Sequence, residues 1–544
     1  LFPKSVKFVL MLQDNLFLIL LLLFVVSMLF MLSQKIKISY PILLVLAGLT
    51  IGFIPAMPLV TLDPDIVFLV FLPPLLYSAA WNTSWKDFWQ NRRAISLLSF
   101  GLVIFTSTAI AFLSHAIIPG FPLAYGFLLG GIISPPDAVA ATSVLQGLRI
   151  PKRIVTILEG ESLINDASSL IVFRFAMAAI LTGQFSMWEA TGEFFLVAGL
   201  GVFIGITIAF IIYWVHRLLP TDASIDTAIT LISPYIMYLA AERFHCSGVM
   251  AVVSGGLFLS YRANRIFSYN TRIQAYSVWE TLIFLLNGLV FILIGLQLPS
   301  IVKGLEGGSL TSAIIYAIAI SVLTVVIRII WVFPGAYIPR IMFRSIRVKE
   351  PRPSEKMVFL VAWSGMRGVV SLASALAIPL TLSNGSAFPH RNLLLFITFV
   401  VILVTLVLQG LSLPWLINKL KIEEPDNETE EEVELAIRLQ MADAALDHLN
   451  ENYSEEIKNI EAYQRVKEKY DRMAKNTYKR LIEGQADGSD FLPGYRKMLK
   501  ELVLVKRAAL ERLKKEDLYS LELIRNKEWE LDLEEARLDE TSPN

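Results

Sequence analysis

The sequence returns repeatedly to apolar windows long enough to cross a bilayer, and this limits the fold more than any motif does. About 20 helical residues span the hydrocarbon slab. Such windows centre near Leu22, Leu46, Leu69, Phe105, Leu129, Leu170, Ile204, Ile232, Val253, Leu289, Val322, Val370 and Val401. Hydrocarbon offers no partner to a backbone N–H or C=O, so only helices and closed barrels cross it. Runs of this length specify helices. Of the 544 residues, 55% are hydrophobic and only 18% are charged, against roughly 25% charge in soluble domains. The fold class is therefore all-α: a polytopic membrane protein of about 13 transmembrane helices. The second, eighth and ninth windows are short or interrupted. The first carries no small-residue cleavage site and reads as a spanning helix rather than a cleaved signal.

The composition excludes several function classes. Net charge is zero, so no basic excess points to nucleic acid. Cys246 is the single cysteine, which rules out an intrachain disulfide or a cysteine metal cluster. The five histidines show no ligand spacing. No glycine loop for a nucleotide appears, and neither haem nor another soluble cofactor is implied. Basic residues mark alternate loops: Lys35 and Lys37; Lys86, Arg92 and Arg93; Arg149, Lys152 and Arg153; Arg217; Arg262, Arg265 and Arg272; Arg340, Arg344, Arg347 and Lys349; then Lys419 and Lys421. By the positive-inside rule this places the C-terminus in the cytoplasm and the N-terminus outside, with Lys4 and Lys7 running mildly against it.

The chain divides by composition into a transmembrane domain, 1–420, and a charged helical cytoplasmic domain, 421–544. The second opens on an acidic linker, EEPDNETEEEVE. Leu435, Leu439, Ala442, Leu446 and Leu449 then recur at three- and four-residue spacing, one face of an amphipathic helix. Breaks are expected over 484–490 and near Pro493 and Gly494.

Within the membrane domain, 158–176 puts Glu161, Ser162, Asn165, Asp166 and Arg174 into an apolar run. Ionisable groups at membrane depth are costly and mark an ion path or a buried pair. On a helix Ser162 and Asp166 share one face, and Glu161 and Asn165 another. A carboxylate with a hydroxyl one turn away suits a small hard cation. Pairing of Asp166 with Arg174 is the plain structural alternative, but eight residues place them about 12 Å apart along a helix.

Two windows are interrupted in the middle. The fifth reads GGIISPPDAVAATSVL, and the twelfth reads VAWSGMRGVVSLA. Pro135 and Pro136 remove backbone donors and disfavour helix just before them. Gly365 and Gly368 flank Arg367. Broken helices at corresponding places in two halves point to an inverted-repeat transporter whose site lies where the two unwound segments cross. Windows 1–6 and 8–13 would form the halves, linked by the seventh. Pro and Gly are also common in membrane helices without any such role. Asp137 and Arg367 at the matched breaks favour the transporter.

EGESLINDASS, the preceding SPPDAVAA, the following SGMRG, and WETLIFLLNGLVFILIGLQLP between them resemble the bacterial monovalent cation:proton antiporters of the sodium/proton exchanger type. The resemblance covers about 15–420. It implies an ion site at Asn165 and Asp166, a hydroxyl ligand at Ser162, and an acid on the unwound fifth helix at Asp137. It also implies an arginine on the unwound twelfth helix at Arg367, and a Glu161–Arg328 pair. Asp166 and Ser162 would be the residues on the metal ion, Asp166 also the proton site. A homodimer in membrane lipid is implied as well.

The residues agree with that chemistry. Burial favours the neutral acid and a bound cation favours the carboxylate, so cation and proton compete for Asp166. With Asn165 rather than a second acid beside it, one charge replaces one charge, and electroneutral exchange of Na+ or Li+ for H+ is expected. Glu161 and Arg328 most simply satisfy each other, a structural tie between the sixth and eleventh spans. Asp137 would face exposed helix N-termini, and Arg367 exposed C-termini. Asn287 and Gln297 read as interhelical hydrogen bonders, and Glu280 as either funnel-facing or a helix end. Two departures from the family pattern stand out. Ser78 and Ala79 lie where an acid is common in the third span, and Pro136 lies where a Thr is common before Asp137. They leave K+/H+ or broad-cation exchange open, and also a transport-degenerate sensor acting through the tail.

Overall fold

The computed structural model describes residues 4–36, 38–54, 67–145, 148, 150–183, 187–219, 222–305, 309–349, 352–382, 385–420, 430–483, 491–515 and 521–540. Among these the regular structure is helical, with a single isolated β bridge between Thr381 and Ala387. The chain separates into two compact units, Leu1–Glu424 and Pro425–Asn544.

The first unit begins with α1 (Lys4–Ile36), α2 (Tyr40–Gly52), a π-helical turn Val67–Phe71, α3 (Leu72–Asn82) and α4 (Trp85–Ser96). A second π turn, Leu97–Leu102, leads into α5 (Val103–Ile117). The fifth apolar window is split into α6 (Leu123–Ile133) and α7 (Ala138–Leu145), and α8 (Lys152–Thr182) follows. Then come α9 (Met187–Leu218), α10 (Ala223–Arg243), α11 (Gly248–Ile266), α12 (Tyr269–Leu296), the short α13 (Leu298–Lys303), α14 (Leu310–Met342) and α15 (Arg344–Lys349). The twelfth window is likewise split, into α16 (Glu355–Trp363) and α17 (Val369–Leu376). The unit closes with α18 (Arg391–Val404), a third π turn at Thr405–Gln409 and α19 (Gly410–Leu420).

Every window centre named from the sequence falls in one of these helical stretches. Among the described residues nine stretches are long and apolar enough to cross a bilayer, while Tyr40–Gly52 and Phe68–Asn82 are apolar but shorter. The eighth window is not interrupted: α10 runs unbroken through Pro234. Helices start where a side chain replaces missing backbone partners. Ser84, Ser247, Ser268, Ser309 and Ser354 each accept from the N–H three residues on, and Asp222 accepts from Ser224 and Ile225.

Without a hydrophobic force between them in lipid, membrane helices associate through close packing at small residues. The clearest case joins α2 to α12. A Cβ on Gly48 would run into the Ile292 carbonyl, and one on Gly295 into that of Val45. The two backbones therefore touch, which fixes α12 and the face it turns to the site.

The second unit contains α20 (Glu430–Asn452), α21 (Ser454–Asn459), α22 (Glu461–Glu483), α23 (Phe491–Lys515) and α24 (Leu521–Glu540). Ala442 is buried and its apolar neighbours on that face half-buried, with α20 packed on α22. The break expected near Pro493 and Gly494 is absent. Pro493 lies in the first turn of α23, where a missing N–H removes no intrahelical bond. The break expected over 484–490 lies outside the described residues.

Gly295→Leu overpacks the α2–α12 contact and should lose about 1–3 kcal/mol. Thermal unfolding of the detergent-purified protein measures it, and Gly192→Leu, at an open position, should melt close to wild type.

Candidate functional site

The site lies where the two split helices meet. Asp137 N–H donates to the Met366 carbonyl at 2.6 Å, so one break is hydrogen-bonded to the other. Asp137 Oδ1 accepts from Val139 N–H at 2.8 Å and Ala140 N–H at 3.3 Å, capping α7. Its Oδ2 accepts from Val369 N–H at 3.4 Å, at the start of α17. One carboxylate thus meets the positive ends of two half-helices. Gly368 is required here, because a Cβ would collide with that carboxylate.

Arg367 serves the opposite ends. It is 1% exposed; its Nε donates to the Ile133 carbonyl at 3.2 Å, the last residue of α6, and its Nη1 donates to Gly365. Its own N–H donates to Thr405 Oγ1 at 3.2 Å, in the third π turn. Glu161 and Arg328 form a fully buried two-pronged pair, Nη1–Oε1 at 2.5 Å and Nη2–Oε2 at 2.7 Å. Arg328 Nε and Nη2 also donate to Val361 in the last turn of α16, at 3.3 and 3.2 Å. That contact, not foreseen from the sequence, ties α8, α14 and the first half of the second broken helix together.

The π turn 97–102 secures α8 from another side. Ser99 Oγ donates to the Glu161 carbonyl at 3.0 Å, and Ser168 Oγ donates back to the Ser99 carbonyl. Asn165, fully buried, donates through Nδ2 to the Pro136 carbonyl at 3.2 Å. Ser162 Oγ accepts from Ala138 N–H at 3.2 Å. The unwound fifth helix is thereby stitched to α8 along one turn.

Asp166 differs from its neighbours. It is 7% exposed, and among the described residues no hydrogen bond or ion pair to its carboxylate is present. It opens on a cavity of about 280 Å³, together with Ser162, Asp137, Pro136, Ser78 and Asn287. A second cavity, about 480 Å³, shares Ser78, Asn82 and Ile283 with the first and continues to Glu280 and Arg272. The two cavities therefore abut, the second lying toward the basic 262–272 side. Asn165, Glu161, Arg328 and Arg367 lie behind the cavity wall.

Two residues need correction or addition. Arg174 pairs with Glu242 at 2.8 Å across to α10, not with Asp166. Glu159, not among the residues expected from the sequence, is half-buried and lines the cavity. Its signal was the stripe Glu159, Ser162, Asp166 at spacings of three and four on one helix face. Among the described residues no group of three or more His, Cys, Asp or Glu side chains could hold a metal ion as a protein-only cluster.

Residues 19–419 match the family described as sodium/hydrogen exchanger, transmembrane. The chain belongs to the sodium/hydrogen exchanger family. A sodium, potassium, lithium and rubidium/H+ antiporter of Bacillus pumilus is 36% identical over 391 residues, 70% of this chain. That match spans 58% of the Bacillus protein's own length. An uncharacterized Na+/H+ exchanger of Mycobacterium bovis is 34% identical over 423 residues, 77% of this chain and 76% of the relative. The sodium proton antiporter MjNhaP1 of Methanocaldococcus jannaschii shares the fold. Its structure gives a TM-score of 0.60 at 20% identity, covering 76% of this chain and all of that one. The antiporter resemblance read from the motifs holds, as does the all-helical, multi-pass membrane architecture, and the exchanger relatives are transporters rather than enzymes.

The Glu161–Arg328 pair gives a direct test of its energetics. Arg328→Met alone strands a buried carboxylate and should cost about 3–5 kcal/mol. Adding Glu161→Leu should recover most of that loss. Thermal unfolding checks it, with the double variant melting above Arg328→Met.

Proposed function

We propose that this sodium/hydrogen exchanger family member is a secondary-active antiporter exchanging Na+ or Li+ for H+, with both ions competing for Asp166. One observation carries the reading. Among the described residues the Asp166 carboxylate has no protein partner and faces a cavity, whereas Glu161, Arg328, Asp137 and Arg367 are all engaged in hydrogen bonds or ion pairs. A buried carboxylate with no partner takes a proton or a cation, and the two exclude each other. Ser162 is the hydroxyl ligand, and Asp137 contributes charge more than coordination, its oxygens being taken by helix N-termini. Asn165 and Arg367 hold the breaks in shape, and Glu161–Arg328 is structural.

Only Asp166 would change partner, since Asn165 is neutral, Ser78 stands in the wall where an acid would add charge, and Glu159 lies about 10 Å away along the helix. Exchange is then one cation for one proton, and electroneutral. Alternating access would move a bundle of spans 4–6 and 11–13 against the others. The cavity beside Glu280, toward the basic loops, would lie on the inward-facing route. The protein would reside in the cell membrane as a homodimer, N-terminus outside and C-terminus cytoplasmic.

A broader selectivity, including K+, is the second reading. It is favoured by the neutral Ser78 in the cavity wall and by the Bacillus pumilus relative, whose name covers sodium, potassium, lithium and rubidium. Proton flux in proteoliposomes against a panel of alkali cations separates the two.

In that assay, wild type should move protons on addition of Na+ or Li+, and Asp166→Asn should move none. Clamping the membrane potential to either sign should leave the rate unchanged. Because protons occupy the same carboxyl, acidification should raise the apparent cation KM, by up to about tenfold per pH unit once Asp166 is mostly protonated. Unaltered flux in Asp166→Asn, or a steep voltage dependence, would contradict the proposal.

A further inference from the structure

Two polar side chains in the wall of the Asp166 cavity are buried and unmatched. Asn287 on α12 is 3% exposed and Ser371 on α17 is 1% exposed, and both line the cavity. Among the described residues the Asn287 Oδ1 has no partner. Ser371 Oγ has none either. Buried polar atoms without partners are few in native proteins, and a ligand or an ordered water usually accounts for them. Here two occur in the wall of one cavity, on helices other than the one that carries Asp166.

A cation that sheds its water shell needs several oxygens in exchange. The groups already assigned to it fall short. Ser162 Oγ already accepts from Ala138 N–H, and both Asp137 oxygens accept from backbone N–H groups. Glu159, the other carboxylate in the wall, lies seven residues before Asp166, about 10 Å along the helix, and Ser78 and Asn82 occupy the α3 wall. Asn287 Oδ1 and Ser371 Oγ are neutral, unmatched oxygens on residues of that wall, each within a side-chain rotation of the space.

We propose that Asn287 and Ser371 complete the oxygen shell of the transported alkali cation and set the discrimination among alkali ions. Where the ion binds follows from the cavity; that it is then exchanged for a proton rests on the antiport reading. Neutral donors leave the site with one titrating charge. They also give a weaker field than a second carboxylate, which disfavours strict selection of the smallest, most strongly hydrated ions.

The test is binding of radioactive sodium to the purified full-length protein by scintillation proximity, with Li+, K+ and Rb+ as competitors. Melting temperatures are recorded alongside, and proton flux is measured in parallel. Asn287→Ala and Ser371→Ala should each weaken sodium binding about tenfold, the loss of one dipole facing a charge, and should shift the Li+:Na+:K+ ratio. Asn287→Asp should tighten Li+ and Na+ relative to K+. Affinities within about twofold of wild type, with an unchanged ratio, overturn the proposal. A lowered melting temperature with the ratio intact overturns it too, since Asn287 would then only bridge helices. If Asn287→Ala does not fold, Asn287→Ser and Ser371→Ala carry the same comparison. A wild type that binds sodium but moves no protons refutes antiport and leaves this shell to be decided by the variants. One that exchanges normally while the variants bind as wild type refutes the shell alone. A wild type that binds no alkali cation overturns both.

Discussion

Two helices broken inside the apolar slab leave backbone ends that hydrocarbon cannot satisfy. The rest of the membrane unit follows from how those ends are met. Asp137 takes the N–H ends of α7 and α17, and Arg367 takes the carbonyl end of α6. Arg328, already bound to Glu161, takes the carbonyl end of α16. Each half-helix terminus is therefore closed by a charge of the complementary sign. The Asp137–Met366 backbone bond then locks one break to the other.

That arrangement consumes nearly all the charge it brings into the membrane. Arg328 with Glu161, and Arg367 with backbone carbonyls, are buried to 1% exposure or less and fully engaged. At the crossing Asp166 remains: a carboxylate one turn from Ser162, beside a cavity that Glu159 also lines, and among the described residues free of any cation the protein itself supplies. An ion pathway needs such a group, because a permanently paired acid has no vacancy for cargo. The buried pairs are costly to assemble and more costly to break singly. They make the crossing rigid, so the ion meets a site whose geometry is set before it arrives.

Much of this was legible in the chain. Apolar windows separated by basic loops located the helices, because backbone satisfaction in lipid allows little else. Pro135, Pro136, Gly365 and Gly368 located the breaks, because proline removes a donor and glycine tolerates close approach. What the sequence could not supply was contact between distant elements. Arg174 found Glu242, 68 residues away, on another helix. Val361 as an acceptor for Arg328 depends on where α16 ends in space. Glu159 carries only a weak signal in the chain, its three-residue spacing to Ser162 on one helix face, and its place in the cavity wall needs the fold. Asn287 read as an ordinary interhelical bonder, since only a three-dimensional structure reveals an amide oxygen without a donor. In the tail, Pro493 misled because proline breaks a helix interior yet is at home in its first turn.

The central claim is that one carboxyl, Asp166, is held by hydrogen ion and alkali cation in turn. Proton release upon cation binding tests it most directly. Sodium is added to the purified protein in weakly buffered detergent solution without any gradient, and the pH is followed with an indicator dye. The account predicts one proton released per sodium bound in wild type, and none from Asp166→Asn. Sodium binding without proton release in wild type, or undiminished release from Asp166→Asn, would contradict it.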